Sequence, residues 1–214
     1  MADQDSEIPR RLLVAASEQF AQHGYSLTRV RDIVRDAEVN LASVNYYFGG
    51  KEGLYAATLK ELAAKRRAET PGADAMSILG NAENALYQEV LVILRRFVGG
   101  DRTSSPLGRI LAHESMNPTH YFDKLISEIV RPEIDKLGEI VRRLAGDSVD
   151  NDVIMRTAMS VMGQCLFYLF ARGAVDRAYP QFAPNSDNCE ALARHITGFS
   201  LMGIAVHTSR HGDA

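Results

Sequence analysis

The stretch VNLASVNYYFGGKEG, residues 39–53, gathers the side chains best suited to holding a polar partner: the amides of Asn40 and Asn45, the hydroxyls of Ser43, Tyr46 and Tyr47, and the ammonium of Lys51. These groups donate and accept hydrogen bonds. Lys51 falls where a new helix should begin, and there the backbone dipole disfavours a cation by roughly a few tenths of a kcal/mol. A helix N-terminus also presents free N–H groups that attract anions. With a phosphate docked, ammonium and dipole would add rather than compete. Tyr47, just before the glycines, and Thr28, at the start of an earlier helix, would supply further hydroxyl donors to phosphate oxygens.

The elements that must position these residues are helices. Apolar residues recur at helical spacing along nearly the whole chain and no sustained period-two run occurs, so the expected fold class is all-α. A first helix over about 7–22 buries Leu12, Leu13, Ala16 and Phe20 and stops at Gly24, with Pro9 in its first turn. A second begins with Thr28 as N-cap and buries Val30, Ile33, Val34 and Ala37 on one face. Three residues, Glu38 to Asn40, lead to a short third helix at about 41–47, capped by Asn40. Gly49-Gly50 then precede a connecting helix, 51–69, ended by Pro71-Gly72. Further helices are expected over 76–98, 107–116, 122–145 with Pro132 kinking or splitting it, 152–172 and 186–207, about nine in all.

Two short helices joined by a three-residue turn, after a longer one, form the pattern of a helix-turn-helix unit whose second helix enters the major groove of DNA. The spacing supports it. Val44 and Phe48 share an inner face, leaving Leu41, Ala42, Ser43, Asn45 and Tyr46 outward. The small Ala42 and Ser43 let the backbone approach, and Asn45 and Tyr46 can reach base edges or methyl groups.

Residues 8–55 resemble the DNA-binding domain of the TetR family of bacterial transcriptional regulators. The resemblance rests on FAQHGY, TRVRDIVRDAEVN and LASVNYYFGGKEGLY, in which Ile33, Ala37, Val39, Tyr47, Phe48, Lys51, Glu52 and Leu54 fit the family pattern position by position. Departures are Glu38 and Ala42, where glycine is expected, Asn40 for serine and Asn45 for tyrosine. Glu38 is the oddest, since that position often needs φ > 0. LGRILAHESMNP and MGQCLFYLFARG are similar to C-terminal domains of one subset of the family. The resemblance implies a DNA-binding domain over 1–55 and a helical ligand-binding and dimerisation domain over 76–207. It implies double-stranded operator DNA and a small-molecule effector as partners, and a homodimer made through helices near 152–172 and 187–207. A repressor released from its operator by ligand is the implied function. Met116, Tyr121, Phe122, Met159 and Tyr168 offer soft, adaptable surface for a ligand pocket.

Bulk properties exclude little. The net charge of -3 carries no strong cue, although residues 1–67 hold 10 Lys/Arg against 9 Asp/Glu while the rest hold 14 against 18. Cys165 and Cys189 are the two cysteines, too few for a disulfide framework or zinc spacing, and they read as buried free thiols of a cytoplasmic protein. The acidic, polar start MADQDSEIPRR is unlike a signal peptide, and no membrane span is expected. His113, Glu114 and His120 do not have metal-ligand spacing, and His207 with His211 falls at the tail; no metal or cofactor is expected. An enzyme is the weaker alternative, for no G-x-S-x-G, Walker A or H-E-x-x-H motif occurs. A helical adaptor that binds protein is the other.

Overall fold

The computed structural model describes residues 2–68, 81–97 and 105–209. Its elements are α1 (Ala2–Leu27), α2 (Val30–Asp36), α3 (Ala42–Phe48), α4 (Lys51–Ala68), α5 (Ala82–Phe97), α6 (Pro106–Met116), α7 (Phe122–Leu125), α8 (Arg131–Ala145), α9 (Asn151–Phe170), α10 (Arg172–Ala178) and α11 (Cys189–Ser209), with no strand among the described residues. The expected breaks at Pro71-Gly72 and Gly99-Gly100, the start of the 76–98 helix and His211 lie outside the described residues.

The chain forms two compact units, and they do not follow its order: Met1–Glu69 groups with Pro106–Ile126, and Thr70–Ser105 with Ser127–Ala214. In the first unit, α1 packs on α2, α4 and α6. Leu12, Ala16, Phe20, Ile33, Val44, Leu54, Tyr55 and Ile110 are buried there. Burying each of the larger of these side chains stabilises the unit by about 1.5–3 kcal/mol before conformational entropy is counted. The first helix starts earlier than its sequence suggests, so Pro9 sits inside it and not in its first turn, and it kinks at Gly24 (φ 70). Thr28 is not a cap. Arg29 precedes α2 without a capping side chain, and the Thr28 hydroxyl is turned inward to the carbonyls of Gly24 (2.7 Å) and Gln19 (3.0 Å) that face the kink.

In the second unit, α5, α8, α9 and α11 pack around Leu86, Val90, Leu94, Leu137, Ile154, Ala158, Cys165 and Ile196. A π-helical segment, Ile126–Val130, precedes Pro132, which has no N–H to continue an α-helical ladder; the expected split is there. Helix α10, Arg172–Ala178, replaces an expected loop. By length and composition α9 is long and apolar enough to cross a membrane, with a mean hydropathy of 1.4. Core helices pass the same test, and Ile154, Ala158, Val161, Met162 and Cys165 of α9 are buried in this unit. Burial pushes the Cys165 thiol up to about 12, with the Glu89 carboxylate adding to the effect. Glu89 itself is buried and paired with Lys136 at 2.8 Å.

Candidate nucleic-acid interface

Helix α3 is short, and its ends are fixed locally. Glu38 adopts φ 53, as the glycine of the resembled family at this position suggested, and Arg11 holds its carboxylate at 3.0 Å. Asn40 then caps α3, its Oδ1 accepting the Ala42 N–H at 2.9 Å. At the other end Gly49 (φ 71) and Gly50 (φ 116) take left-handed backbone that favours glycine. Gly53, in the first turn of α4, has no room for a side chain: a Cβ would lie 1.8 Å from the Phe48 carbonyl oxygen. At Gly53 the start of α4 therefore meets the end of α3 backbone to backbone.

This frame turns one face of α3 outward. Val44 is buried and Phe48 half-buried, whereas Leu41, Ala42, Asn45 and Tyr46 are exposed, Leu41 by 55% and Tyr46 by 81%. Ser43 and Tyr47 are half-buried at its edges, and the Tyr47 ring meets Tyr46 edge-on at 4.8 Å. The face is polar and apolar without charge, which suits hydrogen bonding and methyl contact with base edges.

Lys51 opens α4 and has an unusual seat. Its ammonium lies 4.5 Å from the centroid of the Tyr25 ring and 3.4 Å from the Ser26 carbonyl oxygen, and burial lowers its pKa. Glu52 does not neutralise it; that carboxylate faces His120 at 3.1 Å. No carboxylate comes within 4.0 Å of the Lys51 ammonium among the described residues. A ring face and a carbonyl attract the cation without cancelling its charge. Behind Tyr25 the rings continue through Tyr55 (4.8 Å) to Tyr121 (5.4 Å) and Phe20 (4.7 Å from Tyr55). The Tyr55 hydroxyl donates to Glu114 at 2.6 Å, and the buried Glu114 also accepts from the Thr119 N–H and hydroxyl. Burial and that hydrogen bond push the Tyr55 hydroxyl far up.

Sequence reasoning passed over several of these residues. Tyr25 carried no assigned role in the sequence. Arg29 and Arg31 are exposed with no carboxylate within 4.0 Å among the described residues, while Arg35 is engaged by Asp32 (2.8 Å) and Asp36 (3.0 Å). Charge counting could have flagged the pair, but only structure separates a free guanidinium from a paired one. Of the expected donors, Thr28 drops out because its hydroxyl is buried and occupied. Of the residues suggested for a ligand, Met116, Tyr121 and Phe122 belong to the first unit and Met159 and Tyr168 to the second. Tyr121 packs on Tyr55 and donates to the Glu52 carbonyl at 3.3 Å, Met116 and Met159 are exposed, and Phe122 is half-buried. Tyr168 packs against the second unit's core. Glu114 and His120 have the partners given above, and His113 lies against Gly24.

A family model described as the C-terminal domain of the HTH-type transcriptional dual regulator CecR matches residues 82–204, more than half of the chain, and one described as bacterial regulatory proteins, tetR family, matches residues 12–58. The chain belongs to the TetR family. It is a DNA-binding transcriptional regulator. It is similar to the dual regulator CecR of Shigella flexneri, 22% identical over 185 residues that cover 82% of this chain and 81% of the relative. It is also similar to the probable HTH-type regulator YttP of Bacillus subtilis, 46% identical over 44 residues, 21% of each chain. In fold it is similar to the Bacillus subtilis regulator FadR, solved with stearoyl-CoA, at a TM-score of 0.67 and 17% identity over 91% of this chain and 98% of that one.

Proposed function

We infer that this TetR-family regulator is a homodimeric, cytoplasmic repressor that leaves its operator when a small molecule binds. Residues 1–55 carry the DNA contacts and 76–207 the effector site and dimer contact. The observation that supports this most is the uncharged outward face of α3 beside a lysine whose charge no carboxylate among the described residues cancels. Leu41, Ala42, Asn45 and Tyr46 read base edges; Ser43 and Tyr47 border them; Asn40 shapes the helix start. Lys51, with Arg29 and Arg31, meets phosphates.

Dimerisation through α9 and α11 has its own support. Met159, Phe167 and Phe170 of α9 and Phe199, Met202 and Val206 of α11 are exposed, a larger apolar set than isolated surface residues. Gly163, Gly198 and Gly203 have open space where a Cβ would lie, which permits close helix crossing. Two protomers would set two α3 helices into successive major grooves, about 34–36 Å apart. An effector that prefers another spacing releases DNA by its differential affinity, and tenfold release needs about 1.4 kcal/mol. Of the five suggested ligand contacts, Tyr168 suits an effector site in the larger unit and Met159 the dimer contact.

The test is fluorescence anisotropy of the full chain with the DNA upstream of its own gene, between 50 and 200 mM salt. Affinity that falls steeply with salt, and again on adding a compound that raises the melting temperature, is expected. No affinity for any duplex at low salt refutes the reading.

A further inference from the structure

The operator's chemistry is written on α3. Residues 39–50 contain no Arg, Lys, Asp, Glu or Gln. Guanine is read in the major groove by Arg or Lys on O6 and N7, and cytosine by a carboxylate on N4. The face that α3 presents has neither. It offers Leu41 and Ala42 at its start and Asn45 and Tyr46 one turn on, all exposed. Apolar side chains fit the thymine C5-methyl, and an asparagine amide fits the N6/N7 edge of adenine. The Asn45 amide makes no hydrogen bond among the described residues, whereas the Asn40 oxygen is occupied by the Ala42 N–H. Leu41 and Asn45, four residues apart, are separated along the helix by about 6 Å, or about two base steps.

We propose that the base pairs read by α3 are A·T, with Leu41 and Ala42 on thymine methyls and Asn45 on an adenine within about two steps. This rests on the DNA-binding reading above. Tyr46, braced edge-on by Tyr47, adds its ring edge to the methyl contacts. Arg29 and Arg31 lie at and just before the start of α2, not on the reading face, and serve the phosphates. Operator choice thus depends on methyl packing and one amide, not on guanidinium forks.

The experiment starts from a random duplex library enriched on the full-length protein. In the enriched duplex each thymine is replaced in turn by uracil, which lacks the methyl, and each adenine by 7-deazaadenine, which lacks N7. Uracil at a contacted position should weaken binding about fourfold per half-site, the worth of one buried methyl-sized group. The 7-deaza base should cost about tenfold. The uracil effect should vanish in Leu41→Ala at the thymine that Leu41 contacts, and the deaza effect in Asn45→Ala; both residues are exposed, so neither variant threatens folding. A half-site of G·C pairs, or indifference to uracil throughout, overturns the inference and leaves DNA binding standing. Enrichment of nothing at all sinks both.

Discussion

Removing the Lys51 ammonium should be felt as a change in salt dependence before anything else. The charge sits 4.5 Å from the Tyr25 ring centroid and within reach of one carbonyl, with no carboxylate among the described residues to compete against phosphate. Leaving that seat costs about 0.5–1 kcal/mol, and a charge-assisted hydrogen bond to phosphate returns about 1.5–3. The net gain is then about 1 kcal/mol per protomer, or about 30-fold for a dimer. Each phosphate contact adds about 0.9 to the salt slope, so Lys51→Ala should lower it by about 1.8 per dimer. Between 50 and 200 mM salt the wild type should therefore lose about 12-fold more affinity than the variant. Anisotropy titrations on one duplex at four salt concentrations read both quantities. Tyr25→Phe keeps the ring and should behave as wild type. Tyr25→Leu should weaken binding, yet add nothing once Lys51 is alanine. Equal slopes for wild type and Lys51→Ala would refute the phosphate contact. A Tyr25→Leu loss that persists in the Lys51→Ala background would refute the seat.

Other outcomes follow from single contacts. Phe199→Asp, which places a charge in the exposed apolar face of α11, should yield monomers by light scattering and abolish operator binding while the helical circular dichroism remains. Glu38→Gly relieves a φ of 53 and loses only an exposed ion pair with Arg11, so it should raise the melting temperature by about 2–4 °C. Gly53→Ala should destabilise the first unit at the upper end of roughly 1–3 kcal/mol in urea denaturation, because its Cβ would meet backbone at 1.8 Å. The Cys165 thiol is raised from 9.0 to about 12 by burial, so the folded state binds the extra proton between those values. Stability should then fall with rising pH above about 9, by up to about 1.4 kcal/mol per unit, and Cys165→Ser should flatten that slope.

What could be read in the residues was mostly local. Glu38, standing where the resembled family has glycine near a helix end, announced positive φ; Asn40 announced a cap; Pro132 announced a break; each is decided within a few residues. What escaped depends on distant parts of the chain. Thr28 looks like a cap in isolation, but the kink at Gly24 leaves carbonyls that claim its hydroxyl. Glu114 carried no signal of burial, because its partner Tyr55 stands 59 residues away. Helix α10 was missed since Pro180 and Pro184 made the whole segment read as loop. The outward face of α3 was visible from helical spacing. The seat of Lys51 was not, for it requires a ring contributed from beyond the α1 kink.

The missing side chain at Gly53 has a mechanical meaning. At that one point peptide rests on peptide, so the end of α3 has no room to slide or swivel against the start of the connecting helix. Tilting the one must carry the other, so the reading head travels with its shaft. On the function proposed above, an effector would then not have to reshape the head to free the operator; swinging the shaft until two heads no longer match the pitch of the duplex would be enough.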